Sequence, residues 1–94
     1  MELRRYFDFN DLINEAERLV IDELGRQLDK PENKDLLEKE DYVRDIAAYA
    51  LNHVQPMYRA NLLGRLYARN LEVEEHEEVA EAVQAAIERV RQNP

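Results

Sequence analysis

The apolar residues of this chain recur at steps of three and four, and this spacing constrains the fold more than any other feature. Such steps place side chains on one stripe of an α-helix. No segment shows the alternation that is typical of a half-buried strand. The pattern therefore predicts an all-α protein. The first stripe comprises Phe9, Leu12, Ile13, Ala16, Leu19, Val20, Leu24 and Leu28.

Two prolines divide this pattern into separate helices. The residue before a proline avoids the α conformation, so Pro31 ends the first helix, for which Asp8 is the predicted N-cap. Pro56 suits the first turn of a later helix, where a missing N–H does no harm. A polar loop anchored by Leu36 and Leu37 follows the first helix. We expect a compact bundle of about four helices, at residues 9–28, 40–53, 56 or 58 to 69, and 72–91.

The length and the absence of cysteine set further limits. Ninety-four residues suffice for a single domain, residues 1–94, with a thin core. No cysteine is available for a disulfide or a thiolate metal site, which fits a cytoplasmic location. No apolar run approaches the roughly 20 residues that span a bilayer, and residues 1–10 lack the apolar core of a signal peptide. We expect no membrane insertion.

The charge is unevenly distributed along the chain. The net charge is −8, yet residues 43–71, here called the basic segment, carry four arginines against Asp45 alone, a charge of +3. A cationic patch on an anionic protein selects a small anionic ligand or an acidic partner. The excess of carboxylates argues against general nucleic-acid binding, which requires neutralisation of phosphates. An acidic mimic of nucleic acid is the weakest of the alternatives.

Nothing in the sequence indicates an enzyme or a resident cofactor. The chain has no serine, threonine or cysteine, which excludes nucleophiles of those types. Its paired carboxylates, such as Glu74 with Glu78, are expected on polar helix faces, whereas acid–base catalysis needs a carboxylate whose pKa is shifted by burial. Glu72 and His76 have the spacing of metal ligands on one helix face, but such a charged run usually forms a solvated face. We expect no metal site, and we interpret His53 as a cation at a helix end.

Residues 45–58, DIAAYALNHVQPMY, carry a recognisable motif. They resemble the signature of the ComFB-type late-competence family in three places. The matches are Asp45–Ile46–Ala47 at its start, Ala50–Leu51–Asn52 at its centre, and Pro56 and Tyr58 at its end. Members commonly carry a cysteine cluster just before the second helix, whereas residues 34–43 contain none. A metal-dependent role at that position is therefore not expected here.

The resemblance implies a non-enzymatic regulatory or adaptor protein, linked to competence or motility, that forms homodimers and binds a cyclic dinucleotide such as c-di-GMP. Asp45 and Asn52 are seven residues apart, on one helix face, and an aspartate can accept the N–H bonds of a guanine edge. Arg44 and Arg59 suit phosphate or the guanine O6 and N7 atoms, and Tyr58 suits base stacking. The competing interpretation is that Asn52 caps its helix and Tyr58 is a packed turn anchor.

The second helix is apolar over more than half of its circumference, which predicts neighbours on two sides. We therefore expect a homodimer with Tyr49 and Leu51 in the interface; Tyr49 could instead stack on a base. The alternative function, from a different class, is a structural interaction module that binds an unidentified protein partner and no small molecule.

Overall fold

The computed structural model describes residues 1–60 and 62–92, and for residues 62–75 it describes the backbone. The α-helices are α1 (Glu15–Leu28), α2 (Glu40–Leu51) and α3 (Leu62–Gln92). Two 3₁₀ segments lie at Leu3–Arg5 and Pro31–Glu38. Two short strands, β1 (Ile13–Asn14) and β2 (Tyr58–Arg59), pair antiparallel. The prediction of an all-α protein is confirmed, with this two-residue ladder as an addition.

The first helix begins later than the sequence predicts. Its N-cap is Asn14, whose Oδ1 accepts a hydrogen bond from the amide of Ala16 at 3.1 Å. The predicted start at Phe9 and the predicted N-cap at Asp8 are therefore wrong. Strand β1 pairs with β2 and holds the chain extended up to Glu15. Local periodicity cannot reveal a strand whose partner lies so far along the chain.

The chain after α2 is extended rather than helical. Pro56 precedes β2 instead of opening a helix, and α3 runs without a break from Leu62 to Gln92. The predicted third and fourth helices are therefore one. Asn70, near the predicted break, disfavours a helix by less than about 1 kcal/mol, too little to end it. The sequence predicts that Leu62, Leu63, Leu66 and Tyr67 are buried, but their side chains lie outside the described part of the structure.

One apolar core lies between α1, α2 and the C-terminal half of α3. Its most buried large side chains are Val20, Leu36, Ile46 and Val83. Each such burial contributes roughly 1.5–3 kcal/mol. Leu36 belongs to the 3₁₀ helix that replaces the predicted loop, and it closes the core, whereas Leu37 beside it is 56% exposed.

Polar contacts fix the helices around this core. Gln27 of α1 donates one hydrogen bond to Glu23 and another to the carbonyl oxygen of Ala80 in α3, at 2.8 and 3.0 Å. Arg91 near the end of α3 donates two hydrogen bonds to Asp35 of the 3₁₀ helix, at 2.9 and 3.0 Å. Both α1 and the 3₁₀ helix are thereby tied to α3. No helix in the part of the chain that the structure describes is apolar over a length that could span a bilayer.

Candidate functional site

The signature residues of α2 divide between the core and the surface. Ile46 and Ala50 are fully buried, so packing accounts for them. Asp45 and Asn52 are exposed. The backbone amide of Asn52 closes the helix by bonding to the carbonyl of Ala48 at 3.1 Å. Packing therefore explains the apolar part of the motif and leaves its polar side chains facing solvent.

An aromatic pair lies at the C-terminal end of α2. The rings of Tyr49 and His53 stack with centroids 4.2 Å apart and planes inclined by 19°. His53 Nδ1 is 2.8 Å from the carbonyl oxygen of Tyr49, so the ring lies against a carbonyl group at the end of α2. Tyr49 is half-buried against the core, and His53 is exposed. Sequence reasoning missed this stack, although residues four apart on a helix are neighbours and the spacing could have revealed it.

Arg44 stands on the first half of α2. Its guanidinium donates to Asp41 at 2.7 Å and to Glu40 at 3.4 Å. The Arg44 side chain is 66% exposed and both carboxylates are more exposed still. Exposed ion pairs of this kind contribute at most about 1 kcal/mol. Arg44 can therefore exchange these partners for another anion at low cost.

Arg59, which the sequence predicts as a ligand-binding residue, is largely shielded from solvent. Its side chain is only 9% exposed, and its Nε donates a hydrogen bond to Glu15 at the start of α1. Glu15 also accepts a hydrogen bond from Arg18 at 3.1 Å. The Arg59 guanidinium, aided by Arg18, holds the pKa of Glu15 below its usual range despite burial, which acts in the opposite direction. Arg59 thus joins β2 to α1.

Two more hydrogen bonds strengthen this junction. Asn14 Oδ1 accepts from the amide of Met57 at 2.8 Å, in addition to capping α1. The amide of Glu15 donates to the carbonyl oxygen of Met57 at 2.9 Å. With the Arg59–Glu15 ion pair and the β1–β2 ladder, these contacts form what we call the α1–β2 junction. It fixes the segment that follows α2, and Tyr58 within that segment is 66% exposed.

The predicted site residues therefore fall into two groups. Arg44, Asp45 and Asn52 are exposed on α2, and Tyr58 and Arg59 lie in β2. We call the α2 group together with the Tyr49–His53 stack the outer face of α2. The ligand-binding role of all five residues stays a prediction.

The predicted interface and the candidate metal ligands can also be placed. Tyr49 and Leu51 are both half-buried and pack against the core, which leaves part of each side chain accessible to a partner. The Glu72 side chain, half of the candidate metal pair with His76, lies outside the described residues. Among the side chains that the structure describes, no three histidine, aspartate or glutamate groups are placed to hold a metal ion.

The sequence matches a known family over most of the chain. The family model described as "Late competence development protein ComFB" matches residues 13–94. The chain belongs to the ComFB family. The match starts at the first residue of β1 and spans all three α-helices, so the α1–β2 junction lies within the ComFB domain. ComFB membership links the protein to late competence development, and residues 1–12 lie outside the match. No curated protein and no solved structure matches the chain significantly.

Proposed function

We propose that this ComFB protein is a non-enzymatic regulator that acts as a homodimer and binds a cyclic dinucleotide on the outer face of α2. The observation that supports this most is the exposure of Asp45 and Asn52, the polar members of the signature motif. The Tyr49–His53 stack lies near them at the end of the same helix. Arg44 also lies on this helix, and its carboxylate partner Asp41 is exposed.

The chemistry of these side chains suits the parts of such a ligand. The Asp45 carboxylate accepts the two N–H bonds of a guanine edge. The Arg44 guanidinium is planar and pairs with a phosphate through two bonds. Asn52 both donates and accepts, and Tyr58 offers an exposed ring for stacking on a base. The α1–β2 junction holds Tyr58 in place through its neighbour Arg59, which we assign as a positioning residue.

A homodimer also suits the ligand. A cyclic dinucleotide contains two equivalent nucleotides, so it has the same two-fold symmetry as a closed dimer. Tyr49 and Leu51 are apolar and only half-buried, which makes this end of α2 the proposed interface. Ligand binding close to that interface would change the contacts between protomers, and through them the contacts with a further protein.

A second function is favoured by one specific observation. Arg44 and Arg59 are both already bonded to carboxylates of the same chain. If these pairs persist, neither of these two arginines is available to a phosphate. The protein would then be an interaction module that binds a protein partner and no small molecule.

Titration with cyclic dinucleotides distinguishes the two proposed functions. A thermal-shift panel of cyclic dinucleotides on the full chain identifies the ligand, because binding to the native state raises the midpoint. Calorimetry then compares the wild type with Arg44→Ala and with Arg89→Ala, which removes the same charge from an exposed position on α3. We expect Arg44→Ala to weaken binding by about 1.5–3 kcal/mol, or about 10- to 150-fold, and Arg89→Ala to have little effect. No heat with any cyclic dinucleotide would favour the interaction module.

A further inference from the structure

The β1–β2 ladder has an inner and an outer face, and the exposure of its residues distinguishes them. Ile13 pairs with Arg59, and Asn14 pairs with Tyr58. Residues that pair across an antiparallel ladder share a face, and successive residues along a strand point to opposite faces. Arg59 is largely shielded on the inner face, where it meets Glu15. Tyr58 lies on the outer face and is 66% exposed.

Leu12, the residue that precedes β1, lies on the same outer face as Tyr58. It stands two residues before Asn14, the partner of Tyr58, and it is 50% exposed. Its amide donates a hydrogen bond to the carbonyl oxygen of Phe9 at 3.0 Å, which closes a turn where the chain enters β1. Leu12 and Tyr58 are therefore diagonal neighbours on the outer face of the ladder.

The spacing of this diagonal suits a flat ring. Diagonal neighbours in an antiparallel ladder stand about 7–8 Å apart. Carbon atoms in contact lie about 3.5–4.0 Å apart, so a planar base held between two side chains requires the same roughly 7–8 Å. The other diagonal leaves this space open. Asn14 directs its Oδ1 to the amides of Ala16 and Met57, and Ala60, which follows β2, is exposed and carries only a methyl group.

We propose that Leu12 and Tyr58 are the two walls of a slot that holds one planar base of the ligand. The proposal rests on the proposed function, in which Tyr58 stacks on a base of a cyclic dinucleotide. Tyr58 covers one face of that base, and Leu12 covers the opposite face, which would otherwise stay in water. Leu12 directly precedes the residues that match the ComFB family, so this second wall does not follow from family membership.

The absence of native tryptophan permits a direct test on the full chain. Tyr58→Trp keeps an aromatic wall and introduces a single indole, whose fluorescence is quenched by a base that stacks on it. GMP supplies one base, and ribose 5-phosphate supplies the sugar and the phosphate without a base. We expect saturable quenching by GMP and none by ribose 5-phosphate. No quenching by GMP overturns the proposal.

Leu12→Ala in the Tyr58→Trp background tests the second wall, and Leu37→Ala is the matched control. Leu12 and Leu37 are 50% and 56% exposed, so neither substitution removes a core side chain. We expect Leu12→Ala to weaken GMP binding about fivefold, because the base loses apolar contact on one face. Leu37→Ala should leave GMP binding unchanged. Equal effects of the two substitutions overturn the proposal.

Calorimetry with c-di-GMP, on proteins that retain Tyr58, distinguishes failure of the slot from failure of the proposed function. Equal binding of c-di-GMP by the wild type and by Leu12→Ala overturns the slot and leaves the proposed function standing. The opposite result is GMP quenching that depends on Leu12, together with no heat from c-di-GMP and the wild type. That result supports the slot as a base-binding site and excludes c-di-GMP as its ligand.

Discussion

Glu15 is almost buried at the first turn of α1, and it joins two distant parts of the chain. Its carboxylate accepts hydrogen bonds from Arg59 of β2 and Arg18 of α1, and its amide bonds to the loop before β2. The side chains of Glu15 and Arg59 are 11% and 9% exposed. Removal of one partner of such a pair leaves the other charge poorly solvated, which is the costly outcome.

Glu15→Ala is therefore expected to lower the free energy of unfolding by about 1–3 kcal/mol, the range for a charged group that loses its partner in a shielded site. Urea denaturation measures this change. Glu88→Ala is the control, since Glu88 is exposed on α3, and its effect should stay within about 0.5 kcal/mol. Equal effects of the two substitutions would show that the α1–β2 junction does not stabilise the fold.

The same carboxylate makes stability depend on pH. Arg59 lowers the pKa of Glu15 in the folded protein below the usual 4.5. The unfolded chain then binds more protons than the folded one as the solution is acidified. The stabilisation is complete above pH 4.5 and is lost as the pH falls through the folded pKa. Arg26 and Arg91 lower the pKa values of Glu23 and Asp35 in the same direction.

We therefore expect the free energy of unfolding to fall as the pH drops below 4.5, the usual value for a glutamate. The fall should be smaller in Glu15→Gln than in the wild type, because the variant carries no proton-binding group at that position. Urea midpoints taken across this range provide the measurement. Parallel curves for the two proteins would contradict the assignment of the shift to Glu15.

At the scale of elements, the sequence predicts the helices that the core requires and misses the contacts between distant segments. The apolar stripe predicts the end of α1 and most of α2 because Val20 and Ile46 face the core. The β1–β2 ladder has two residues per strand, too few for alternation to appear. The 3₁₀ helix was predicted as a loop because its composition is polar. Of its two buried residues, Asn33 and Leu36, only Leu36 is apolar.

That residue, Leu36, gives a prediction with a neighbouring control. It is 1% exposed, whereas Leu37 is 56% exposed. Leu36→Ala should therefore cost about 2–5 kcal/mol of unfolding free energy, since it leaves a cavity. Leu37→Ala should change it by no more than about 0.5 kcal/mol. Similar losses in both variants, measured by thermal or urea unfolding, would show that the 3₁₀ helix does not close the core.

At the scale of the whole molecule, one helix sets the shape. The protein measures 46 × 32 × 18 Å, and its radius of gyration of 15.3 Å exceeds the roughly 12 Å of a compact chain of this length. The longest dimension equals the roughly 46 Å expected of α3 with its 31 residues. An elongated, thin-cored protomer of this kind offers extensive surface for a second copy.

We predict that the protein is a homodimer in solution. Sedimentation equilibrium at micromolar concentration is expected to give twice the mass of the 11.2 kDa chain. Tyr49→Glu should lower the fraction of dimer, because it places an unpaired charge in the proposed apolar interface. Circular dichroism of the variant distinguishes dissociation from unfolding, since Tyr49 also packs on the core. Monomer alone at these concentrations would exclude the dimer.

The candidate site could be predicted from sequence only in part. Arg44, Asp45 and Asn52 share one helix, so spacing alone placed them together. Arg59 was predicted to bind an anion because it follows Tyr58 at a predicted helix start, where free amides favour negative charge. Its ion pair with Glu15, 44 residues away along the chain, could not be predicted. Ion pairs between distant segments leave no local pattern, and they decide which arginines are available to a ligand.

We propose that the outer face of α2 binds a cyclic dinucleotide. A nuclear magnetic resonance titration of the ¹⁵N-labelled full chain with c-di-GMP is the decisive test. We expect saturable shifts of the amides of Arg44, Asp45, Asn52 and Tyr58. The amide of Arg89 on α3 should not shift. Binding should also weaken as salt is added, because the ligand phosphates are charged. Shifts confined to other parts of the chain, or no shifts at millimolar ligand, would show that the outer face of α2 does not bind c-di-GMP.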